Sequence, residues 1–120
     1  MDVPDDGFRH VGRCARLERL WCMYCKETGD VATGHIAGLS GLKSYAAFSS
    51  RITDVSLEIL GRMPSLERLQ FEYCAGITNA GLACLAALPR LREVELEGSP
   101  GVTRDGFAVL PDRVRVNYQP

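Results

Sequence analysis

Apolar and polar positions recur along this chain in a segment that is repeated several times. In the first part of each repeat, apolar and polar residues alternate over a few positions. In the second part, apolar residues recur at every third position. Successive repeats begin 25, 24 and 25 residues apart, and a shorter fifth one follows; they begin at Leu17, Leu42, Leu66, Leu91 and Pro111. A fixed period of this length predicts stacked structural units rather than a single irregular core.

The first half of each repeat predicts a short β-strand. Apolar residues fall on alternate positions, as at 69 and 71 or at 94 and 96, and a period of two is typical of a strand with one buried face. In the last repeat the predicted inward residues are Pro111, Val114, Val116 and Gln119. This alignment places Arg113 beside Glu93 on the neighbouring strand, and it places Arg115 beside Glu95.

The second half of each repeat predicts a helix of about two turns, because apolar positions recur at i and i+3. Threonines precede these helices at 53, 78 and 103, where a side-chain oxygen can accept a hydrogen bond from the first turn. Prolines at 64, 89 and 111 end three of the helices. Gly81 and Gly106 fall in first turns, where the missing Cβ would let stacked helices approach each other.

The repeat pattern extends to the amino-terminal residues. Residues 3–14 match the loop and helix of the later repeats, so the chain is expected to begin inside a partial first repeat. We therefore predict one domain over residues 1–120, with about four and a half repeats. A start inside a repeat favours a fragment of a longer protein or a very small repeat protein.

The spacing within the third repeat resembles a known family. Cys74 is followed by Ile77-Thr78-Asn79 and then by Gly81-Leu82, which is similar to the cysteine-containing subtype of the leucine-rich repeat, found in F-box proteins and in bacterial repeat proteins. The resemblance implies an α/β fold, a right-handed β/α solenoid with a short parallel sheet on the concave side and helices on the convex side. It implies a protein-binding role, in some members as the recognition part of a larger adaptor, and no enzymatic activity.

A small residue closes each of the first four predicted strands. These residues are Cys25, Ser50, Cys74 and Ser99. Where the chain leaves the sheet, backbone N–H groups have no hydrogen-bond partner on a neighbouring strand. A small, weakly polar side chain beneath the loop can help to satisfy these groups. We therefore interpret these cysteines and serines as structural.

The polar positions between the buried strand residues predict a binding surface on the concave side. The candidate partner-binding residues are Trp21, Met23, Phe48, Arg68, Gln70, Glu72, Glu93, Glu95, Glu97 and Arg115. Trp21, Met23 and Phe48, together with Ala46, form an apolar group, and aromatic residues are frequent energetic centres of protein interfaces. The glutamates would favour a basic partner.

Two other interpretations of this surface remain open at the level of sequence. Rows of opposite charge, such as Arg68–Glu93–Arg113, could be cross-strand pairs that only stabilise the sheet, by roughly 0.2–1 kcal/mol each. Alternatively, Trp21 and Met23 could be covered by preceding residues missing from this chain or by a second copy of it. The protein could then be a homodimer or a structural subunit, joined through Trp21, Met23 and Phe48.

Composition and charge exclude several function classes. Among 120 residues, 46% are hydrophobic, the net charge is −1 and the sequence pI is about 6.1, so a nucleic-acid partner is not expected. The sequence contains no apolar run long enough for a membrane span and no signal-peptide core. The cysteines number five, an odd count, which favours a reduced, intracellular setting, in the cytoplasm, over a disulfide framework.

The strongest chemical motif is Cys22-x-x-Cys25, with Cys14 and His10 nearby. Such a group could hold zinc or carry thiol chemistry. However, both motif cysteines occupy structural positions of the repeat, and the chain has no second cysteine pair at zinc spacing. We therefore keep a thiol or zinc site only as a remote alternative, and we predict no catalytic residue, no metal and no cofactor. His35 lies on a predicted helix and is expected to be partly packed.

Overall fold

The computed structural model describes residues 16–22, 29–48 and 51–119, except for the side chains of Cys22 and Ala32. Strands and helices alternate over these residues. The strands are β1 (Arg19–Cys22), β2 (Ser44–Phe48), β3 (Arg68–Glu72), β4 (Glu93–Glu97) and β5 (Arg115–Gln119). The helices are α1 (Asp30–Ile36), α2 (Asp54–Leu60), α3 (Asn79–Leu85) and a 3-10 helix (Arg104–Val109). The predictions for residues 3–14, Met23, Cys25 and Ser50 lie outside the described residues.

The strands form one parallel sheet, and within the described residues its order is β1-β2-β3-β4-β5. The predicted α/β class with a parallel sheet is therefore confirmed. A typical inward row across the sheet is Leu20, Tyr45, Leu69, Val94 and Val116. The first four of these side chains are buried, and Val116 is half-buried at the last strand. The alternation predicted from the sequence is thus correct for β3 and β4.

The predicted register of β5 is wrong by two residues. Val116 lies opposite Val94, and Arg115 rather than Arg113 lies opposite Glu93. The cause is Val114, which is buried but donates its backbone N–H to the carbonyl of Pro111 at 3.0 Å, so the chain turns before the strand begins.

A shift of two residues keeps Arg115, Val116 and Asn117 on their predicted faces. Arg115 therefore still faces outward, whereas Gln119, predicted to be buried, is exposed opposite Glu97. Tyr118 takes the inward position opposite Leu96. The guanidinium of Arg113 donates instead to the carbonyl of Leu88 at 2.8 Å.

The core lies between the inward face of the sheet and the row of helices. Consecutive helices contact each other, as do consecutive strands. The side chains of Leu57, Leu60, Phe71, Leu82 and Leu85 are fully buried in this layer. Burying such a side chain contributes about 1.5–3 kcal/mol to folding, and the helical spacing predicted for these leucines is correct.

Glycines allow the helices to stack closely, as predicted. A Cβ atom at Gly81 would collide with the carboxylate of Asp54 and with the side chain of Leu57 on α2. A Cβ atom at Gly106 would collide in the same way with Asn79 on α3. The first turns of neighbouring helices therefore approach each other at positions where no side chain larger than hydrogen fits.

A left-handed residue ends β3 and β4. Tyr73 has φ 56° and Gly98 has φ 65°, and this conformation interrupts the alternation so that the next residue points inward. Cys74 and Ser99 are consequently buried. The thiol of Cys74 lies 3.5 Å from the carbonyl oxygens of Ala47 and Glu72. The closing residues are therefore buried as predicted, but these thiol contacts are to carbonyl groups, not to the amides that we expected.

Candidate functional site

The outward face of the sheet, called here the open face, carries the candidate binding residues. Its side chains belong to Arg19, Trp21, Ser44, Ala46, Phe48, Arg68, Gln70, Glu72, Glu93, Glu95, Glu97, Arg115, Asn117 and Gln119. Parallel pairing in the predicted register between β1 and β4 brings eight of the predicted candidates onto this one face, and Arg115 on β5 is the ninth. The tenth, Met23, lies outside the described residues.

Trp21 is the most exposed large hydrophobic side chain of the open face, with 60% of its surface accessible on the end strand β1. Ala46 lies beside it in the same row and is 3% exposed, between Trp21 and Gln70. The expectation that Ala46 contributes to an exposed apolar patch is therefore wrong, because larger neighbours cover so short a side chain. Phe48 lies further along β2 and is half-buried.

A shallow cleft adjoins Trp21. Its volume is about 180 Å³, and it extends from Trp21 past Arg68 and Gln70 to Glu93 and Glu95 on β4. One side is thus aromatic, and the rest of the lining is polar and charged. A cleft of this composition can accept an apolar side chain while hydrogen bonding to the backbone that carries it.

Four glutamates form an acidic patch on β3 and β4. Glu72 lies directly opposite Glu97, while Glu93 and Glu95 follow each other along the outward side of β4. The ion pairs formed by the described residues lie elsewhere: Lys43 with Glu18 at 3.5 Å, and Arg92 with Glu67 at 4.0 Å. The four glutamates of the patch form no ion pair with any described residue.

The charge-pair interpretation of this surface is therefore not favoured. Arg68 and Arg115 both lie opposite Glu93 in the sheet, but neither forms an ion pair with it. The predicted partner Arg113 is bonded to a backbone carbonyl instead. The open face consequently keeps negative charge that is not neutralised by close contacts with cationic side chains of the described chain.

Glu95 lies at the centre of the acidic patch, and its surroundings raise its pKa above the ordinary value. Partial burial is the largest cause, and a hydrogen bond with Glu93 and the negative charges of Glu93 and Glu72 add to it. A hydrogen bond from Asn117 to Glu95, at 3.4 Å, opposes the rise. The charged form of Glu95 is therefore disfavoured and would be stabilised by a nearby cation.

A small pit lies within the acidic patch. It has a volume of about 50 Å³, and it is lined by Glu72, Glu95, Leu96, Glu97, Asn117 and Gln119. Three carboxylates and two side-chain amides thus surround a space that lacks a cationic group. Among the described residues, no group of three or more histidine, cysteine or acidic side chains has the geometry to hold a metal ion.

Tyr73 is a candidate that the sequence analysis missed. By strict alternation it would point inward, but its left-handed conformation leaves it 58% exposed at the end of β3. Its hydroxyl donates to Glu97 at 3.5 Å, and its ring lies over Gly98. The available signal was Gly98, which occupies the same position one repeat later and favours a positive φ.

The remaining chemical candidates add little to the site. The side chain of Cys22 and the whole of Cys25 lie outside the described residues, so the thiol or zinc alternative stays a prediction. His35 is half-buried on α1, as expected. Within the described part of the chain, no helix is long and apolar enough to cross a membrane.

Comparison with known proteins supports the fold alone. No protein-family model and no curated protein sequence matches the chain. One chain of the crystal structure of the Rad7 and Elc1 complex in yeast is similar in structure, with a TM-score of 0.81 and 17% sequence identity. The similarity covers 94% of the present chain and 29% of that chain. The present chain therefore spans less than a third of the length of this structural neighbour.

Proposed function

We propose that this chain is a leucine-rich-repeat solenoid whose open face is concave and binds a protein partner. The single observation that carries the proposal is the exposure of Trp21 beside a cleft on a mostly polar sheet face. Exposed aromatic side chains beside a cleft are typical anchors of protein interfaces. The structural neighbour was crystallised in a complex of two proteins, which is consistent with a binding role.

The role proposed is recognition without catalysis. The open face offers hydrogen-bonding groups, charges and an aromatic anchor, which are the kinds of group that protein interfaces use. Recognition as part of a larger adaptor is a narrower version of this proposal. It requires a segment that links the repeats to other proteins of the adaptor.

A direct test compares proteins captured by the wild-type chain with those captured by a variant of the open face. The variant carries Trp21→Ser and Phe48→Ser, and the matched control carries Val55→Ser. Val55 is also exposed, by 50%, but it lies on α2, away from the sheet. We expect quantitative mass spectrometry to find proteins retained by the wild type and the control but lost from the open-face variant.

A set of captured proteins that is the same for all three chains would contradict the proposal. Circular dichroism checks that the open-face variant is folded, because unfolding would give the loss of binding a trivial cause. In that case Trp21→Ser alone, which alters an exposed side chain only, repeats the comparison.

The second candidate function is assembly with another copy of the chain. The observation in its favour is the position of Trp21 on β1, the first strand in the order of the described sheet. Light scattering over a range of concentrations tests it. A persistent dimer that Trp21→Ser converts to a monomer would replace the recognition proposal with a structural one.

A further inference from the structure

We infer that the partner segment bound by the open face is rich in lysine and arginine, and that one of its cationic side chains enters the acidic pit. This inference rests on the function proposed above and adds the chemistry of the partner. It assigns different tasks to two adjoining sites of the face, which share Glu95 in their linings. The cleft at Trp21 takes an apolar side chain, and the pit at Glu95 takes a cation.

The first argument is the unfavourable arrangement of charge within the chain itself. Glu72 and Glu97 are directly opposite each other on neighbouring strands, and like charges in that position destabilise a sheet. No described cationic side chain pairs with either one. A positive charge supplied from outside would remove this repulsion, so binding and relief of repulsion would be coupled.

The second argument is the shape and chemistry of the pit. Its volume of about 50 Å³ is suited to one small cationic group and not to an extended ring. Its lining offers carboxylate and amide oxygens, and a lysine ammonium has three donors and no acceptor. The hydroxyl of the exposed Tyr73 donates to Glu97 at the same end of the sheet, and aromatic faces attract cations.

The third argument is the distribution of positive charge on the same face. Arg68 and Arg115 flank Glu93 near the beginning of the strands. The carboxylates of Glu72 and Glu97 lie at the opposite end, where the strands finish. A basic segment is therefore repelled from one end of the face and attracted to the other, which fixes where it binds.

The experiment selects binders from a random peptide display library on the immobilised full chain. The same library is passed over the open-face variant Trp21→Ser/Phe48→Ser to remove peptides that bind elsewhere. We expect the remaining peptides to be enriched in lysine and arginine. Their affinities are then measured by fluorescence anisotropy at low and high salt.

Charge variants test the pit itself. Glu72→Gln/Glu97→Gln removes two charges from the pit, and Glu58→Gln/Asp112→Asn removes two exposed charges from other surfaces. We expect the pit variant to weaken binding of the selected peptides by about tenfold, with a smaller dependence on salt. The control variant should change the affinity less than about twofold, because its charges lie far from the bound segment.

The outcomes separate this inference from the proposed function. Peptides that need the open face but lack basic residues would overturn the inference and leave the proposed function standing. Equal losses of affinity in the pit variant and the control would also overturn the inference. Displacement of the peptide by calcium, together with calcium binding in its absence, would reassign the pit to a metal. A library without any peptide that depends on the open face would contradict both proposals.

Discussion

Asp54 at the start of α2 holds Thr78 immediately before α3. Its Oδ1 accepts the backbone N–H of Thr78 at 2.8 Å, and its Oδ2 accepts the hydroxyl of the same residue. The oxygen of that hydroxyl in turn accepts the N–H of Ala80 in the first turn of α3. Each of these bonds satisfies a donor at a helix start, so one unit determines where the next helix begins.

The same relationship occurs on both sides of this pair. Asp30 accepts the backbone N–H of Thr53 at 2.9 Å, and Asn79 accepts that of Thr103 at 3.0 Å. The side chains thus form a ladder that runs along the helix starts of the described units. It joins the units by directional bonds, in addition to the apolar core.

We predict that Asp54→Ala lowers the free energy of unfolding by about 1–3 kcal/mol, since it leaves the part-buried donors of Thr78 without their acceptor. Urea unfolding followed by circular dichroism measures the change. The matched variant is Asp54→Asn, because Asn79 already performs this task for Thr103. We expect a clearly smaller loss for asparagine than for alanine, and equal losses would contradict the role of the acceptor.

The sequence predicted this part of the fold incompletely. Threonine before an apolar helical spacing indicated the helix starts at 54 and 79 correctly, because capping is a local interaction. The ladder was not predicted, because it joins residues 23 or 24 positions apart and depends on how the units stack. The role of Gly81 was predicted, since glycine weakens a helix and its presence in a first turn therefore indicates a close approach by a neighbour.

A second prediction concerns two glycines in helices. Gly81→Ala should destabilise the fold by about 1–3 kcal/mol, because the new methyl group would overlap Asp54 and Leu57. Gly34→Ala on α1 should stabilise it by about 0.5–1 kcal/mol, because nothing lies within 4 Å of the added Cβ and alanine favours the helix. Thermal and urea unfolding of both variants measure the two changes, and a common sign would contradict this packing.

The open face was also predicted only in part from the sequence, because the alternation of residues does not show how the chain turns at the strand ends. The alternation of apolar and polar residues was sufficient to place Trp21, Gln70 and Glu95 on one face. It did not reveal Tyr73, because a left-handed residue interrupts the alternation. The register of β5 was also missed, since the turn at Val114 carries apolar residues that look like the beginning of a strand.

A third prediction concerns the pH dependence produced by Glu95. Its pKa is raised in the folded chain, first by burial and then by Glu93 and Glu72, so ionising this carboxyl is harder in the folded than in the unfolded state. The folded state is therefore favoured below the unfolded pKa and loses this advantage as the pH rises through the folded pKa. Glu95→Gln should be more stable than the wild type at neutral pH, and the difference should disappear in acid.

The measurement for Glu95 is urea unfolding of both chains across the acidic range. Glu58→Gln is the comparison, because Glu58 is exposed on α2 and away from the acidic patch. A gain of stability shared by the two variants would reflect net charge alone and would contradict the special position of Glu95.

The last prediction concerns Asp30 at the start of α1, whose pKa is lowered in the folded chain, whereas that of Glu95 is raised. Burial alone would raise its pKa, but hydrogen bonds from Ser56 and from the hydroxyl and backbone of Thr53 outweigh burial and lower it. A carboxyl with a lowered pKa stabilises the fold above its unfolded pKa, and this stabilisation is lost as the pH falls through the folded pKa. Asp30→Asn should therefore be less stable than the wild type at neutral pH, with a difference that shrinks in acid. Ser56→Ala removes one donor and should reduce, without abolishing, the pH dependence of stability seen in the wild type. If neither substitution changes the profile of stability against pH, these hydrogen bonds do not stabilise the charged carboxylate.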